Sequence, residues 1–340
     1  MSTSDVGREG VRGERPDREA RVGKGRHHRG GRRRRGERAM VPDAEFTSYY
    51  GRPVLNPPTW KALDIAGYFF LGGLAGAGSV LAAGAQLTGR PATARAMKVS
   101  SLAAITGSAA ALVHDLGRPA RFHHMLRVMK PTSPMSVGSW LLAAYGPAAG
   151  AAAVLDATGL FPRLGAAATA GAAALGSAVA AYTAVLAADT AVPAWHEAHR
   201  ELPFVFVGSA AAAASGMALI ASPLGENGPA RGAAAFGTAL EVASLRLMER
   251  RLGMIAEPYK EGRAGRLMRA AGLLSAAGTA ASTLLAGRSR AAAALSGTTL
   301  LAASACTRFG VFHAGMQSAQ DPKYTVLPQR ERRATAQQEA

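Results

Sequence analysis

The strongest constraint on this chain is a series of long stretches that contain no charged residue. Four of them are 24 or 25 residues long, and three more are 15 to 18 residues long. A helix that crosses a bilayer needs about 20 mostly apolar residues, and its backbone polar groups must be satisfied within the segment. The sequence therefore predicts membrane-spanning helices. The uncharged stretches are 65–89, 99–113, 131–155, 164–188, 202–225, 270–287 and 291–307.

The predicted fold class is an all-α integral membrane protein, a bundle of about eight transmembrane helices. The alternation of apolar and polar residues that is typical of strands is absent. The second span requires Arg95 and Lys98 to extend their charged ends toward the membrane surface. The spans are rich in alanine and glycine, and a GxxxG motif at Gly72 and Gly76 permits close helix packing. The eight spans are 64–87, 92–113, 135–155, 164–187, 202–221, 230–248, 267–286 and 290–312.

The N-terminal residues differ sharply from this apolar region. The whole chain of 340 residues has a net charge of +17, and residues 1–39 hold 13 Lys/Arg and 6 Asp/Glu. Such a segment buries too little apolar surface to offset its chain entropy, so we expect a disordered Arg/Gly-rich head over 1–45. It would be an arm for nucleic acid or anionic lipid, a solvated tail, or the product of a mis-annotated start with translation beginning at Met40. The transmembrane domain is expected over 55–320, with a polar tail over 321–340.

The distribution of Lys and Arg between the loops predicts the orientation in the membrane. If the N terminus is cytoplasmic, the loops and tail on the cytoplasmic side carry 15 Lys/Arg, and the opposite loops carry 7. Positive charge accumulates on the cytoplasmic side of membrane proteins. We therefore expect a multi-pass protein of the cell membrane with both termini in the cytoplasm.

The composition excludes several classes of redox and catalytic site. A single cysteine, Cys306, rules out a disulfide within the chain, a CxxC zinc site and a cysteine-ligated iron–sulfur cluster. Cys306 lies within the eighth span and is expected to serve packing. No dinucleotide-binding fingerprint, P-loop or HExxH motif occurs. The histidines fall near span ends, so we expect no haem and no metal bound by this chain.

Ionisable residues within the spans are better candidates, because a charge in lipid is costly and usually faces an interior. Glu241 lies near the middle of the sixth span, where it would form a proton path, the wall of a polar cavity, or a structural ion pair. Asp64 opens the first span, and Tyr68 follows one turn later on the same face. This pair would hydrogen-bond to the carbonyl or hydroxyl of a bound headgroup and transfer a proton. It would otherwise be an acid that complements the helix dipole beside an interfacial tyrosine.

The densest polar cluster follows the second span. Histidine exchanges protons near neutral pH, so the cluster would take part in proton transfer. It would otherwise be a solvated positive loop, and its spacing is not diagnostic of a metal site. Its members are His114, Asp115, Arg118, Arg121, His123 and His124.

Four segments resemble the NrfD/polysulfide reductase membrane-subunit family. Residues 60–76 (WKALDIAGYFFLGGLAG) resemble its first-helix signature, and residues 114–126 (HDLGRPARFHHML) resemble its DLGRPxRFxxML loop. Residues 133–140 (SPMSVGSW) match the start of its third helix. Residues 193–195 (PAW) and 202–206 (LPFVF), with Ser209, match the start of its fifth. The resemblance extends over roughly residues 55–320.

The resemblance implies a quinone-interacting membrane anchor subunit of an oxidoreductase complex. Such a subunit exchanges electrons between quinone or menaquinone, an exchangeable substrate, and an iron–sulfur partner. The expected partners are a four-cluster ferredoxin-like subunit, a molybdopterin subunit of the formate dehydrogenase or polysulfide reductase kind, and membrane lipid, but no nucleic acid. By analogy the headgroup site involves Asp64, Tyr68, His114 and Asp115. The loop residues Arg118, Arg121, His123 and His124 would dock the partner.

Two other functions remain open from the residues. An ion or solute transporter would use the region of Glu241 as its binding site and would have no redox partner. A passive anchor would tolerate substitution of Asp64 and Tyr68. Copurification of an iron–sulfur protein would separate the first alternative from the electron-transfer function.

Overall fold

The computed structural model describes residues 53–116 and 118–338, with side chains up to residue 332, and the backbone of residues 6–7 and 10–11. The chain falls into two units. One is Pro57–Ser318, and the other combines Met1–Asn56 with Ala319–Ala340. The first unit holds every candidate site residue. The first four helices are α1 (Ala62–Leu87), α2 (Pro91–Asp115), α3 (Pro134–Thr158) and α4 (Pro162–Ala188).

Within the described residues, the remaining helices are five longer ones and two of only four residues. A 3₁₀ segment, Pro119–Leu126, connects α2 to α3, and shorter ones cover Leu224–Glu226 and Gly253–Ala256. The helices are α5 (Pro193–His196), α6 (Leu202–Ala221), α7 (Gly228–Leu252), α8 (Glu257–Lys260), α9 (Gly262–Leu284), α10 (Arg290–Gln320) and α11 (Lys323–Gln338).

Prolines and glycines explain where many of these helices begin and end. Each helix from α2 to α8 has a proline in its first turn, where the missing N–H is not needed by the helix. Gly159 ends α3 in the left-handed conformation with φ of 70°, as a glycine that terminates a helix commonly does. The connections between α1 and α2 and between α3 and α4 are only three residues long, so these consecutive helices lie side by side.

All eight predicted spans coincide with long helices. Five of these, α1 to α4 and α6, are long and apolar enough to cross a membrane. The other three, α7, α9 and α10, carry more charge, and their membrane crossing stays a prediction. The extension of Lys98 toward the membrane surface stays a prediction, and its side chain is only 5% exposed and lies within α2. It is held there by an ion pair with Asp156, which lies 58 residues away and which the apolar pattern of the second span does not reveal.

Hydrogen bonds between helix ends show that neighbouring helices run antiparallel. The start of α7 meets the end of α9, because the Asn227 side chain donates to the Ala286 carbonyl over 2.8 Å. The start of α10 meets the end of α6, where the Arg290 guanidinium donates to the Ser222 carbonyl. The start of α1, the end of α2 and the start of α6 lie at one end of the bundle, because His114 contacts Asp64 and the Phe69 ring packs against that of Phe206.

Small residues let α1 pack closely against α4. A Cβ added to Gly76 would lie 2.3 Å from the carbonyl oxygen of Gly176, and one on Gly72 would lie 3.5 Å from Thr183. Both glycines of the GxxxG motif therefore face α4, at backbone contact distance in the case of Gly76. Helices in lipid gain stability from such close packing. This contact fixes the position of the start of α1, which carries the candidate site.

The second unit contains α11 and two short strands. Strands β1 (Val6–Gly7) and β2 (Gly10–Val11) pair antiparallel, with Val6 opposite Val11. Most of the predicted disordered head over 1–45, including the alternative start at Met40, lies outside the described residues. The predictions for the head therefore stay predictions.

Candidate functional site

The start of α1 and the end of α2 meet at a carboxylate–imidazole pair. Nδ1 of His114 lies 2.9 Å from Oδ2 of Asp64. The Asp64 side chain is 12% exposed, whereas that of His114 is 68% exposed. An ionised Asp64 accepts a hydrogen bond from Nδ1–H, which leaves Nε2 as the free ring nitrogen. The buried carboxylate thus orients an imidazole that remains accessible.

Two neighbouring contacts hold this pair in place. The backbone N–H of Lys61 donates to Oδ1 of Asp115 over 3.1 Å, which fastens the start of α1 to the end of α2. Nζ of Lys61 lies 4.0 Å from Oδ2 of Asp64. Asp115 therefore positions the helix ends, and Lys61 adds a positive charge beside the carboxylate.

Tyr68 lies one turn farther into the bundle and is 1% exposed. Its ring packs beside that of Phe69, with centroids 5.7 Å apart. Its backbone carbonyl accepts a hydrogen bond from Ser108 over 3.1 Å. Asp64 and Tyr68 thus share one face of α1, as the sequence spacing predicts, with His114 at the surface and the phenol in the interior.

The motif at the start of α3 supports the same end of the bundle. Tyr182 donates its hydroxyl to the carbonyl of Pro134 over 2.6 Å. A Cβ on Gly138 would lie only 1.9 Å from the Tyr182 ring. Gly138 therefore provides the space that the ring occupies, which explains a glycine at this place in the SPMSVGSW segment.

Aromatic contacts attach the PAW segment to this end. The rings of Trp60 and Trp195 stack with centroids 5.5 Å apart. The indole N–H of Trp195 donates to the carbonyl of Val311 over 2.8 Å. Nearby, the Arg251 guanidinium binds Glu201 through both carboxylate oxygens, and this holds the pKa of Glu201 below its ordinary value.

The 3₁₀ segment Pro119–Leu126 presents a cationic surface beside the Asp64–His114 pair. The predicted docking residues Arg118, Arg121, His123 and His124 are all exposed. Phe122 among them is 50% exposed, and Met129 shortly after is 61% exposed. Positive charge combined with exposed apolar side chains is typical of a surface that binds an acidic partner.

A second polar cluster lies inside the helices at Glu241. The Thr307 hydroxyl donates to Oε1 of Glu241 over 2.6 Å, and Glu241 is 2% exposed. Arg308 is fully buried. It donates to the carbonyl of Phe206 over 2.6 Å and lies 3.8 Å above the Phe206 ring. Within the described residues, Oε2 of Glu241 and two guanidinium nitrogens of Arg308 have no hydrogen-bond partner.

Arg308 is the residue that the sequence analysis missed. It follows directly on the uncharged stretch 291–307 and falls inside the predicted span 290–312. A charge inside a span is costly and therefore informative. Glu241 and Arg308 belong to different clusters from Asp64 and His114, so the structure does not unite all the predicted residues in one site. Among the described residues, no group of three or more His, Cys, Asp or Glu side chains could hold a metal ion.

The arrangement places the four family-like segments in and around one end of the bundle. A comparison with known families matches residues 54–228 to the family described as polysulphide reductase, NrfD. The chain belongs to the NrfD family. The match is shorter than the predicted 55–320, yet it contains all four segments. It ends before Glu241 and Arg308, so their roles draw no support from it. No curated protein matches the chain significantly.

Proposed function

We propose that the chain is the quinone-interacting membrane anchor of an oxidoreductase complex, with its headgroup site at Asp64, Tyr68 and His114. The NrfD family comprises membrane subunits of quinone-linked oxidoreductases. The observation that carries the proposal is the buried Asp64 carboxylate 2.9 Å from the exposed His114 ring. Two separate family-like segments contribute these side chains, and the helix ends hold them together.

This geometry suits quinone chemistry. Reducing a quinone to a quinol takes two electrons and two protons, and the reverse reaction releases them. His114 supplies a hydrogen bond to a headgroup carbonyl, and Asp64 stabilises the charge of the protonated ring. The buried Tyr68 hydroxyl is a second donor one turn deeper. The residues of this chain therefore bind the headgroup and move protons, while the electrons pass to or from a partner.

The partner would be a four-cluster ferredoxin-like iron–sulfur subunit, itself joined to a molybdopterin subunit of the formate dehydrogenase or polysulfide reductase kind. Family members typically pair with iron–sulfur and molybdopterin subunits. The cationic 3₁₀ segment begins five residues after His114, so a partner bound there would bring an iron–sulfur cluster close to the quinone. Menaquinone or another quinone would be the exchangeable substrate.

Glu241 is the proposed proton-holding group of the second cluster. One of its oxygens accepts from Thr307, and the other has no partner among the described residues. A carboxyl group with one free oxygen can take up a proton there without breaking its bond to Thr307. This role is independent of headgroup binding.

The test combines binding and turnover. The purified full chain is titrated with a menaquinone analogue, and its complex is assayed for quinone-linked electron transfer. We expect Asp64→Asn and Tyr68→Phe to lower turnover about tenfold or more, equivalent to about 1.4 kcal/mol, while the complex still assembles. The control is Glu226→Gln at the opposite end, where Glu226 accepts from the Thr93 N–H. Wild-type activity in both site variants would refute the headgroup site.

The unpartnered atoms of Glu241 and Arg308 also favour a second candidate function, an ion or solute transporter without a redox partner. Buried charges with free hydrogen-bonding capacity inside helices mark many transport pathways. Copurification decides between the two functions. An iron–sulfur protein that travels with the chain supports the anchor subunit, whereas transport by the chain alone in vesicles supports the transporter.

A further inference from the structure

One face of α1 carries or contacts buried polar groups along its whole length. The positions on this face are separated by three or four residues, which is the repeat of one helix face. The 22 helical steps from Asp64 to Gln86 correspond to about 33 Å, close to the ~30 Å thickness of the hydrocarbon core. We call this face and its polar neighbours the α1 polar row. Its positions on α1 are Asp64, Tyr68, Gly72, Ala75, Ser79, Ala82 and Gln86.

The first part of the row begins at the candidate site. Below the Asp64–His114 pair, the Ser108 hydroxyl donates to the carbonyl of Tyr68. A Cβ on Gly72 would lie 3.3 Å from the Ser108 oxygen, so both Ser108 and Thr183 border Gly72.

The middle of the row is built around Tyr145 of α3, which is fully buried. Its hydroxyl donates to the carbonyl of Ala75 over 2.6 Å and lies 2.8 Å from the Ser79 hydroxyl. Because Tyr145 has given its one proton to Ala75, Ser79 is the donor in the second bond. The Ser101 hydroxyl nearby is buried and has no partner in the described part of the chain.

A small cavity continues the row. Its volume is about 10 Å³, room for about one water molecule. Polar side chains from three helices line it: Ser79 of α1, Lys98 and Ser101 of α2, and Thr169 of α4. A water molecule in this cavity would give the buried Ser101 hydroxyl a hydrogen-bond partner, and an unsatisfied polar group otherwise costs free energy.

The row ends in a titratable cluster at the opposite end of the helices. Nζ of Lys98 lies 2.8 Å from Asp156 and 2.6 Å from Gln86. Asp156 also binds Arg95 over 3.0 Å, and the Arg95 side chain is 66% exposed. Lys98 therefore contacts the cavity on one side and an ion pair that reaches the surface on the other.

Polar side chains between membrane helices often serve only to bind the helices together. Three observations set this row apart from such a role. The buried Ser101 hydroxyl is unpartnered among the described residues, a cavity adjoins it, and both ends of the row carry titratable groups. Helix association alone requires none of these features.

We propose that the α1 polar row conducts protons between the Asp64–His114 pair and the Lys98–Asp156 pair. The inference rests on the proposed function and deepens it. When a quinol is oxidised at Asp64 and His114, two electrons leave for the iron–sulfur partner and two protons leave the headgroup hydroxyls. The row carries those protons to the opposite side of the membrane. Reduction of the quinone draws protons along the same row in reverse.

The experiment measures protons per two electrons in vesicles that contain the full complex, with pH dyes inside and outside. Tyr145→Phe removes one hydroxyl, and Lys98→Met removes the terminal amine. We expect both variants to bind the menaquinone analogue as the wild type does. With an uncoupler present, we expect their electron transfer to stay within about twofold of the wild-type rate. Proton exchange on the Lys98 side should fall to less than half of the wild-type value in each variant.

Two control variants test whether the loss of proton exchange is specific to the α1 polar row. Thr106→Val removes an exposed hydroxyl of α2 that bonds only within its own helix, and it should leave the proton count unchanged. Glu241→Gln tests the other cluster. If proton exchange on the Lys98 side fell in that variant alone, the proposed proton path along the α1 polar row would be refuted. An unchanged proton count in both Tyr145→Phe and Lys98→Met would do the same while leaving the proposed function intact. If the wild type binds no quinone, the proposed function and this inference fail together.

Discussion

Replacing Gly76 with alanine tests whether the close contact between α1 and α4 holds the candidate site together. The added Cβ would lie 2.3 Å from the carbonyl oxygen of Gly176 and 3.0 Å from the amide nitrogen of Ala180. Ordinary contacts of a Cβ begin near 3.4 Å, so α1 and α4 must move apart by about 1 Å. Neither neighbour is a flexible side chain, and local rearrangement therefore cannot relieve the overlap.

The expected magnitude follows from two opposing effects. Overpacking of this kind costs typically 1–3 kcal/mol. Alanine is favoured over glycine within a helix by roughly 0.5–1 kcal/mol. Gly84 lies on the same helix and has no atom within 4 Å of its added Cβ. Gly84→Ala should therefore stabilise the protein slightly, whereas Gly76→Ala should destabilise it by about 1–2 kcal/mol net.

The assay is thermal unfolding of the purified full chain in detergent. At about 2–4 °C per kcal/mol, Gly76→Ala should lower the midpoint by several degrees and Gly84→Ala should leave it unchanged or slightly raised. Quinone affinity should fall with the first variant alone, since α1 carries Asp64. Equal midpoints for the two variants would refute the claim that backbone contact between α1 and α4 supports this end of the bundle.

Three further predictions concern buried charge, pH and membrane depth. Arg308→Met should cost about 1–3 kcal/mol of unfolding free energy because it removes the buried hydrogen bond to the Phe206 carbonyl and a positive charge that interacts with Glu241, and adding Glu241→Gln should recover part of that loss. Strictly additive losses in this cycle, measured by chemical unfolding, would contradict the coupling. Arg251 lowers the pKa of Glu201 in the folded protein. The pair therefore stabilises the fold fully above the unfolded-state pKa of Glu201, and this stabilisation is lost as the pH falls through the lowered pKa. Arg251→Ala should therefore destabilise the protein at pH 7 but much less near pH 3. An equal shift of the unfolding midpoint at both pH values would contradict a stabilising Arg251–Glu201 pair. Cys306, half-buried in α10, should react in intact membranes with an uncharged maleimide but not with a sulfonated one, and rapid labelling by the charged reagent would argue against α10 as a span.

The sequence predicted the helices well because their signal is local. An uncharged stretch of about 25 residues specifies a helix in lipid without reference to any other part of the chain, since unsatisfied backbone groups are too costly there. The i, i+4 spacing placed Asp64 and Tyr68 on one face of α1 by the same local rule. The contact between Asp64 and His114 depends instead on how α1 and α2 align across 50 residues. The resemblance suggested that proximity, but the apolar pattern could not.

Lys98 shows why the buried polar contacts between helices lay beyond a local analysis. A lysine near the end of an apolar stretch either extends toward the membrane surface or turns inward to a partner, and its own sequence surroundings are the same in both cases. The choice depends on Asp156 and Gln86, which reach Lys98 only after α1, α2 and α3 have packed. Arg308 is the same case in the second cluster, where its hydrogen bond reaches Phe206 across 102 residues. Charges inside apolar stretches are therefore the positions at which the sequence indicates that a function exists, whereas helix packing determines which groups perform it.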